Sequence, residues 1–312
     1  MTAHPLRERR ITVTGAGGFL GPPTVETLAR KGARVQAIIG PPNEPARIPS
    51  QAAYVAQADV CHPSAIRNLL AGADTVVHLA GPASVAASFE DPARYVRSHA
   101  EGTVAVLQAC RAEGVRRLVY ISSAEVYGRP LRSPVGEDHP LSARSPYAAA
   151  KIAAEKLIET WVHAYDLAAV ILRPFSIYGP GASPESLIPT IIGMARSGSA
   201  IVLRDLRPVR DYCFVSDVCE AVASACAFEG RGLEIFNVGT MEGTGVWRVA
   251  ALIVEVLGAA GAIRESGEHD RPGRSEIHEL IADNRRAREM LDWRPVIGLR
   301  EGLRMTIASV VR

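Results

Sequence analysis

Short apolar runs alternate with longer stretches of helical period through the first half of the chain. Ile11–Thr14, Arg34–Ile39, Thr75–Leu79, Arg117–Ile121 and Ala168–Leu172 are brief and rich in β-branched residues. That pattern predicts parallel strands buried on both faces. Between them, Phe19–Lys31, Pro63–Leu70, Pro92–Glu113 and Pro146–Tyr165 predict helices. Each parallel step needs a crossover, so the alternation predicts an α/β fold: a doubly wound parallel sheet with helices on both faces. After Arg173 the alternation fades, and Pro174, Gly179, Pro180, Gly181 and Pro184 crowd together. Residues 1–174 are therefore read as the α/β unit, and 175–312 as a smaller mixed C-terminal unit. One apolar run, 234–238, is expected to return to the main sheet.

Composition narrows the functional classes. The 35 basic and 33 acidic side chains give a formal charge of +2, which argues against a nucleic-acid-binding surface. No apolar run reaches the length of a membrane span, and Met1–Arg10 lacks a signal core, so a cytoplasmic protein is expected. The five cysteines form no CxxC pair and the eight histidines no HExxH spacing. Reduced thiols and no metal site are the expectation.

The first predicted strand runs into Gly15-Ala16-Gly17-Gly18-Phe19-Leu20-Gly21. Glycine is required where a backbone turns tightly, approaches a pyrophosphate, or packs a helix on a strand. The helix start after the loop offers unpaired N–H groups to phosphate. This strand-turn-helix context predicts a Rossmann dinucleotide site, with Gly15, Gly18, Phe19, Leu20 and Gly21 as its loop. An acidic residue normally comes after the second strand to hold the adenosine ribose. Here that stretch is Ile38-Ile39-Gly40-Pro41-Pro42, the nearest carboxylate is Glu44, and Arg47 lies close by. NAD and NADP both stay open.

Tyr147-Ala148-Ala149-Ala150-Lys151 comes directly after Ser145-Pro146, a capping serine and a first-turn proline. Residues four apart share a helix face, so the Tyr147 hydroxyl and the Lys151 ammonium can meet. A free tyrosine titrates near roughly 10, and a neighbouring cation is what makes it a base near neutrality. Ser122-Ser123-Ala124-Glu125-Val126-Tyr127-Gly128 ends another predicted strand, where open α/β sheets bind ligands. A serine hydroxyl there could share the substrate oxygen with Tyr147.

With these segments in order, the chain resembles the extended short-chain dehydrogenase/reductases, in their nucleotide-sugar epimerase/dehydratase branch. The resemblance also rests on Asp59-Val60, His78-Leu79-Ala80-Gly81, Leu172 to Gly181, Arg210 to Val218, Phe236 to Gly239, Arg271-Pro272-Gly273 and Leu291 to Pro295. It implies Ser123 as hydroxyl partner, Tyr147 as base and Lys151 as its activator. It implies a cofactor site of the loop residues with Asp59, Val60, Leu79, Ala80, Gly81, His99, Ser122, Tyr147, Lys151 and Pro174. His78 is included there, along the cofactor's phosphate and ribose. It further implies that Ser84, Ser123, Ser176, Arg210 and Arg271 meet a UDP- or dTDP-sugar, the two arginines at its diphosphate. The helices near Pro92–Glu113 and Pro146–Tyr165 resemble a homodimer interface.

Members of the branch begin alike, with proton removal from a sugar hydroxyl and hydride transfer to NAD(P). They differ in the fate of the keto-sugar, and the resemblance bears on that choice. The branch's 4,6-dehydratases resemble Thr-Asp-Glu where this chain has Ser123-Ala124-Glu125, so the elimination acid is missing. Glu125 keeps open other eliminations and a decarboxylase, and stands equally as a structural carboxylate. Ser176 replaces a frequent Asn or Thr, and Ser183 stands where uronic-acid epimerases resemble an Arg. His99 replaces a usual Asn beside the cofactor. A 4-epimerase is the expected activity. A dehydratase or decarboxylase is the alternative, with a keto-sugar reductase or a non-catalytic dinucleotide binder behind it.

Overall fold

The computed structural model describes residues 4–41, 46–259, 261–267 and 275–310. Its first half runs β1 (Arg10–Thr14), α1 (Gly21–Arg30), β2 (Arg34–Ile39), β3 (Tyr54–Gln57), α2 (Pro63–Arg67), β4 (Thr75–His78), α3 (Ala87–Glu90), α4 (Pro92–Val96), α5 (Gly102–Ala112), β5 (Arg117–Ile121), α6 (Pro146–Ala164) and β6 (Ala168–Pro174). The second half runs β7 (Ser176–Tyr178), α7 (Leu187–Arg196), β8 (Ile201–Leu203), β9 (Val209–Phe214), α8 (Val215–Ala227), β10 (Leu233–Val238), β11 (Gly243–Gly245), α9 (Val246–Leu257), β12 (Ile263–Glu265), β13 (Glu279–Leu280), α10 (Arg285–Met290) and α11 (Leu299–Val310).

Seven strands form one parallel sheet in the order β10-β6-β5-β4-β1-β2-β3. Every residue of β4 is buried, as is all of β6 except its first. That is why these strands read as continuous apolar runs. One core lies between the sheet and α1 and α8, with Val25, Leu28, Val218 and Val222 against Val13, Val119 and Val170. Another lies on the opposite face, where Val106, Leu107, Ala154 and Ile158 cover Val76, Leu118 and Ile171. This is the doubly wound fold that the alternation predicts. The sheet order reverses between β1 and β4, the switch point at which such sheets bind ligands.

The chain after β6 is interleaved with the sheet: α8 and β10 pack on it, while β7, β9, β11 and β13 form a separate small sheet. A third core joins α7, α9 and α11 to β9. Among the described residues no helix is long and apolar enough to cross a membrane.

Three local features differ from the sequence pattern. β3 adds an edge strand, and the Pro92–Glu113 segment is not one helix. A π-turn, Arg97–Glu101, separates α4 from α5, and inserted turns of this kind re-aim side chains at functional sites. The Phe19–Lys31 helix begins only at Gly21, because the two residues before it belong to the loop.

Candidate active site

The β1–α1 loop is fixed by contact with the turn after β4. Gly15 has φ +68°, and a Cβ there would lie 2.6 Å from the Ala80 nitrogen. Only glycine satisfies both conditions. Gly21 is packed against the Ala16 carbonyl and seats α1 rather than lining the cavity beside it.

That cavity has a volume of about 600 Å³, within the range of dinucleotide and ligand pockets. Gly15, Gly18, Phe19 and Leu20 line one side, with Asp59 and Val60 beyond β3. Leu79, Ala80 and Gly81 come after β4, Ser122 and Ser123 after β5, and Pro174 closes β6. Tyr147 and Lys151 enter from α6 and His99 from the π-turn. Phe175 and Ile177 of the Leu172–Gly181 segment also line it, as do Arg94, Arg97 and Ser186, which no motif singled out.

Ser145 and Pro146 set the start of α6: the Ala148 N–H donates to Ser145 Oγ at 3.1 Å. Tyr147, Lys151 and Glu155 then fall on one buried face, a turn apart. Burial pushes the Tyr147 phenol up to about 12, against a hydrogen bond from the Ser123 side chain that pulls it down; Glu125 adds a further upward push. Burial likewise pulls the Lys151 ammonium down to about 7, opposed by Glu155. Lys151 Nζ donates to the Ile121 carbonyl at 2.7 Å and lies 4.8 Å from the Tyr120 ring centre. Ser123 opens a 3₁₀ turn, Ala124–Tyr127, whose Glu125 N–H donates to Ser123 Oγ at 3.2 Å. Glu125 itself does not line the cavity but bears electrostatically on Tyr147.

Two buried histidines flank the pair. His78 departs from the expectation that it lines the cofactor. Its ring lies between β1 and α5, 2.7 Å from Thr14 Oγ1 and 3.3 Å from Thr103 Oγ1, and burial holds it down to about 3. His99 Nε2 lies 2.9 Å from the Pro82 carbonyl. A carbonyl only accepts, which assigns the proton to Nε2 and leaves Nδ1 an acceptor. Nδ1 is buried without a hydrogen-bond partner among the described residues, and burial holds the ring down to about 2. An orphaned acceptor in the wall, a glycine cradle and a cavity of this size all fit a nicotinamide dinucleotide.

The other candidates among the described residues do not line this cavity. The Ser84 hydroxyl accepts from the Ala87 N–H at 3.1 Å at the start of α3. Ser176 sits in β7, paired with Tyr212 of β9. Arg210 in β9 pairs with Glu276 at 3.3 Å. Glu44 and Arg271 lie outside the described residues. Arg47 binds the backbone, its N–H to the Gly17 carbonyl at 3.0 Å and its guanidinium to the Gly181 carbonyl.

The motifs did not indicate what lies under Ser122. Arg173 and Glu155 are joined by two bonds, of 3.0 and 2.6 Å, with both side chains 3% exposed. Arg173 also donates to the Tyr127 hydroxyl at 2.9 Å, which donates to Asn237 on β10 at 2.7 Å.

Fold and cavity together define a dinucleotide-dependent enzyme on the short-chain dehydrogenase/reductase plan. The model of the NAD dependent epimerase/dehydratase family matches residues 11–239. A UDP-glucose 4-epimerase of Mycolicibacterium smegmatis is 34% identical over 96% of this chain and 97% of its own. A dTDP-glucose 4,6-dehydratase of Streptomyces griseus is 31% identical over 99% and 94%. Among solved structures, UDP-glucose 4-epimerase of Thermotoga maritima with UDP-glucose has a TM-score of 0.88 at 27% identity, covering 97% of this chain and 98% of that one. MoeE5 in complex with UDP-glucuronic acid and NAD has a TM-score of 0.88 at 29% identity, covering 97% and 99%. The chain belongs to the NAD dependent epimerase/dehydratase family.

Proposed function

We propose that this chain is an NAD-dependent nucleotide-sugar 4-epimerase acting on a UDP- or dTDP-sugar. The observation that carries the reading is the Ser123–Tyr147–Lys151 group, with the partly exposed Ser123 just after β5 and the buried Tyr147 and Lys151 on α6, all three in the wall of the dinucleotide-sized cavity. Tyr147 takes the proton of the sugar hydroxyl, Ser123 holds that oxygen and the phenol in line, and Lys151 provides the cation that makes a phenolate accessible. NAD, when held by the Gly15–Leu20 loop and the turns after β3 and β4, supplies the site with a hydride acceptor that can return the hydride. Gly81 and His99 form the wall beside Tyr147, with the His99 ring centre 5.5 Å from that of Tyr147. Arg210 and Arg271 take the diphosphate in this reading, since arginine suits paired phosphate oxygens.

Ala124 carries the choice between activities. It is buried and apolar, where an elimination acid would be needed, and this favours epimerisation over 4,6-dehydration. A second reading, a decarboxylase or another elimination, is favoured by Glu125, whose charge reaches Tyr147.

The test is a proton NMR time course on UDP- and dTDP-sugars, with and without NAD. A 4-inverted product of unchanged mass is the expected result. Loss of water or carbon dioxide would transfer the assignment to the second reading. The exposed Val96 on α4 and the partly exposed Ile152 and Trp161 on α6 support a homodimer through these helices. Light scattering should return twice the chain mass, and a monomer would refute it.

A further inference from the structure

Glu155 is a buried carboxylate one helical turn beyond Lys151. Ser122 Oγ donates to its Oε1 at 2.5 Å, Arg173 Nε to the same oxygen at 3.0 Å, and Arg173 Nη2 to Oε2 at 2.6 Å. A buried ion pair is no more stabilising than well-packed apolar residues of similar volume. Stability alone is therefore a weak reason for its presence, and its position points to the relay above it.

The groups facing Lys151 are Tyr147 and Glu155 on its own helix, Tyr120 from β5, His78 from β4, His99 from the π-turn, and Arg173 from β6 across Glu155. The histidines are held neutral, and Lys151 itself disfavours their charged forms. Glu155 is the carboxylate that favours the ammonium.

Lys151 Nζ lies 5.9 Å from the Tyr147 ring centre, near enough for the two ionisations to be treated as a coupled pair. With one proton removed, the pair has two arrangements of equal total charge: phenolate with ammonium, or phenol with amine. Only the first makes Tyr147 the base. Glu125 bears on Tyr147 and opposes the phenolate. We propose that Glu155 is a positioning residue that opposes this effect from below, keeping the shared proton on Lys151 so that Tyr147 stands as the base. Arg173 and Ser122 fix the carboxylate where it can act, and Tyr127 and Asn237 extend the anchor to β10. This role for Glu155 rests on the proposed function only for the assignment of Tyr147 as base and Lys151 as its cation, whatever substrate that relay serves.

The experiment tracks the Tyr147 phenolate by ultraviolet difference absorbance in the NAD-loaded protein without sugar, with Tyr147→Phe as blank. The wild type should show the phenolate well below the value of about 12 to which burial pushes the phenol in the protein alone, because the positive nicotinamide of bound NAD adds to the Lys151 cation. Glu155→Gln should lower that signal roughly tenfold, the lower end of what an adjacent opposite charge does to an ionisation, at unchanged NAD content. Glu155→Gln strands a buried guanidinium, so Glu155→Met/Arg173→Met is measured beside it, removing both charges together. The same loss in the folded double variant supports the proposal. A wild-type phenolate signal in either folded variant overturns it and leaves the pair a structural tie. If no nucleotide-sugar is turned over yet the signal depends on Glu155, the epimerase reading falls and this inference stands. If sugar is turned over and the signal ignores Glu155, the reverse holds.

Discussion

At the residue scale, the site is governed by burial of groups that would rather be hydrated. A phenol pushed up to about 12 is inert at neutral pH without a cation and a hydroxyl partner. Tyr147→Phe should therefore lower kcat by roughly 10²–10⁴-fold, the usual worth of a positioned base. NAD should stay bound, as judged by protein-bound absorbance. Near-normal turnover in that variant would sink the relay. Glu125→Gln separates the two readings: an epimerase should keep activity within a few-fold, whereas a decarboxylating or eliminating enzyme should lose its product altogether. His99 gives a pH prediction. Its folded value, about 2, lies below the ordinary 6.5, so the unfolded chain takes up a proton first as pH falls. Stability is thus lost below about 6.5, by about 1.4 kcal/mol per pH unit for this one group. Urea unfolding of His99→Asn should lack that slope, so the wild type weakens faster than the variant between pH 6 and pH 5 (roughly a one-unit window). Parallel slopes would show that His99 charges as easily folded as unfolded.

At the element scale, α6 delivers Tyr147, Lys151 and Glu155 on one face, and its register depends on its first turn. Ser145→Ala removes the bond to the Ala148 N–H and should cost about 1 kcal/mol in denaturant midpoint stability. No change would mean that Pro146 alone sets the helix start. Much of this scale was legible in the sequence, because β4, β5 and β6 are buried along almost their whole length and β1 and β2 beyond their exposed first residues, so all five are dominated by apolar, β-branched side chains. The glycine loop was legible because a positive φ and a 2.6 Å approach leave glycine no competitor. β3 escaped notice as a short edge strand with Tyr54 and Gln57 exposed and no alternating pattern. The π-turn escaped because one inserted residue leaves the apolar spacing on either side almost unchanged. His78 read as a cofactor contact because Leu79, Ala80 and Gly81 directly after it line the cavity; its own ring turns away from the cavity, toward Thr14 and Thr103. Glu155 had no local signal at all. A charged residue on a helix reads as a solvated face, and its burial depends on Arg173, eighteen residues later on another strand.

At the scale of the whole molecule, the cavity is where the sheet and the chain beyond β6 meet. Phe19 and Leu20 of the phosphate loop also pack against the core of α7, α9 and α11, while Phe175, Ile177 and Ser186 face the same cavity. A ligand filling it therefore touches both halves and should stabilise them as one unit. Mass action gives about 2.7 kcal/mol at a hundredfold excess of NAD over its Kd. Calorimetry should then show a single transition moved up by several degrees. Gly18→Ala isolates the cause. A Cβ at Gly18 would lie 3.3 Å from the Gly15 carbonyl, a contact the fold can absorb, yet it would stand where the backbone must approach a pyrophosphate. The variant should melt near the wild type without cofactor and lose most of the NAD-dependent rise. If NAD instead raised only one of two separate transitions, the cavity would belong to the sheet alone. The loop's packing on α7 and α9 would then be a tether without thermodynamic coupling.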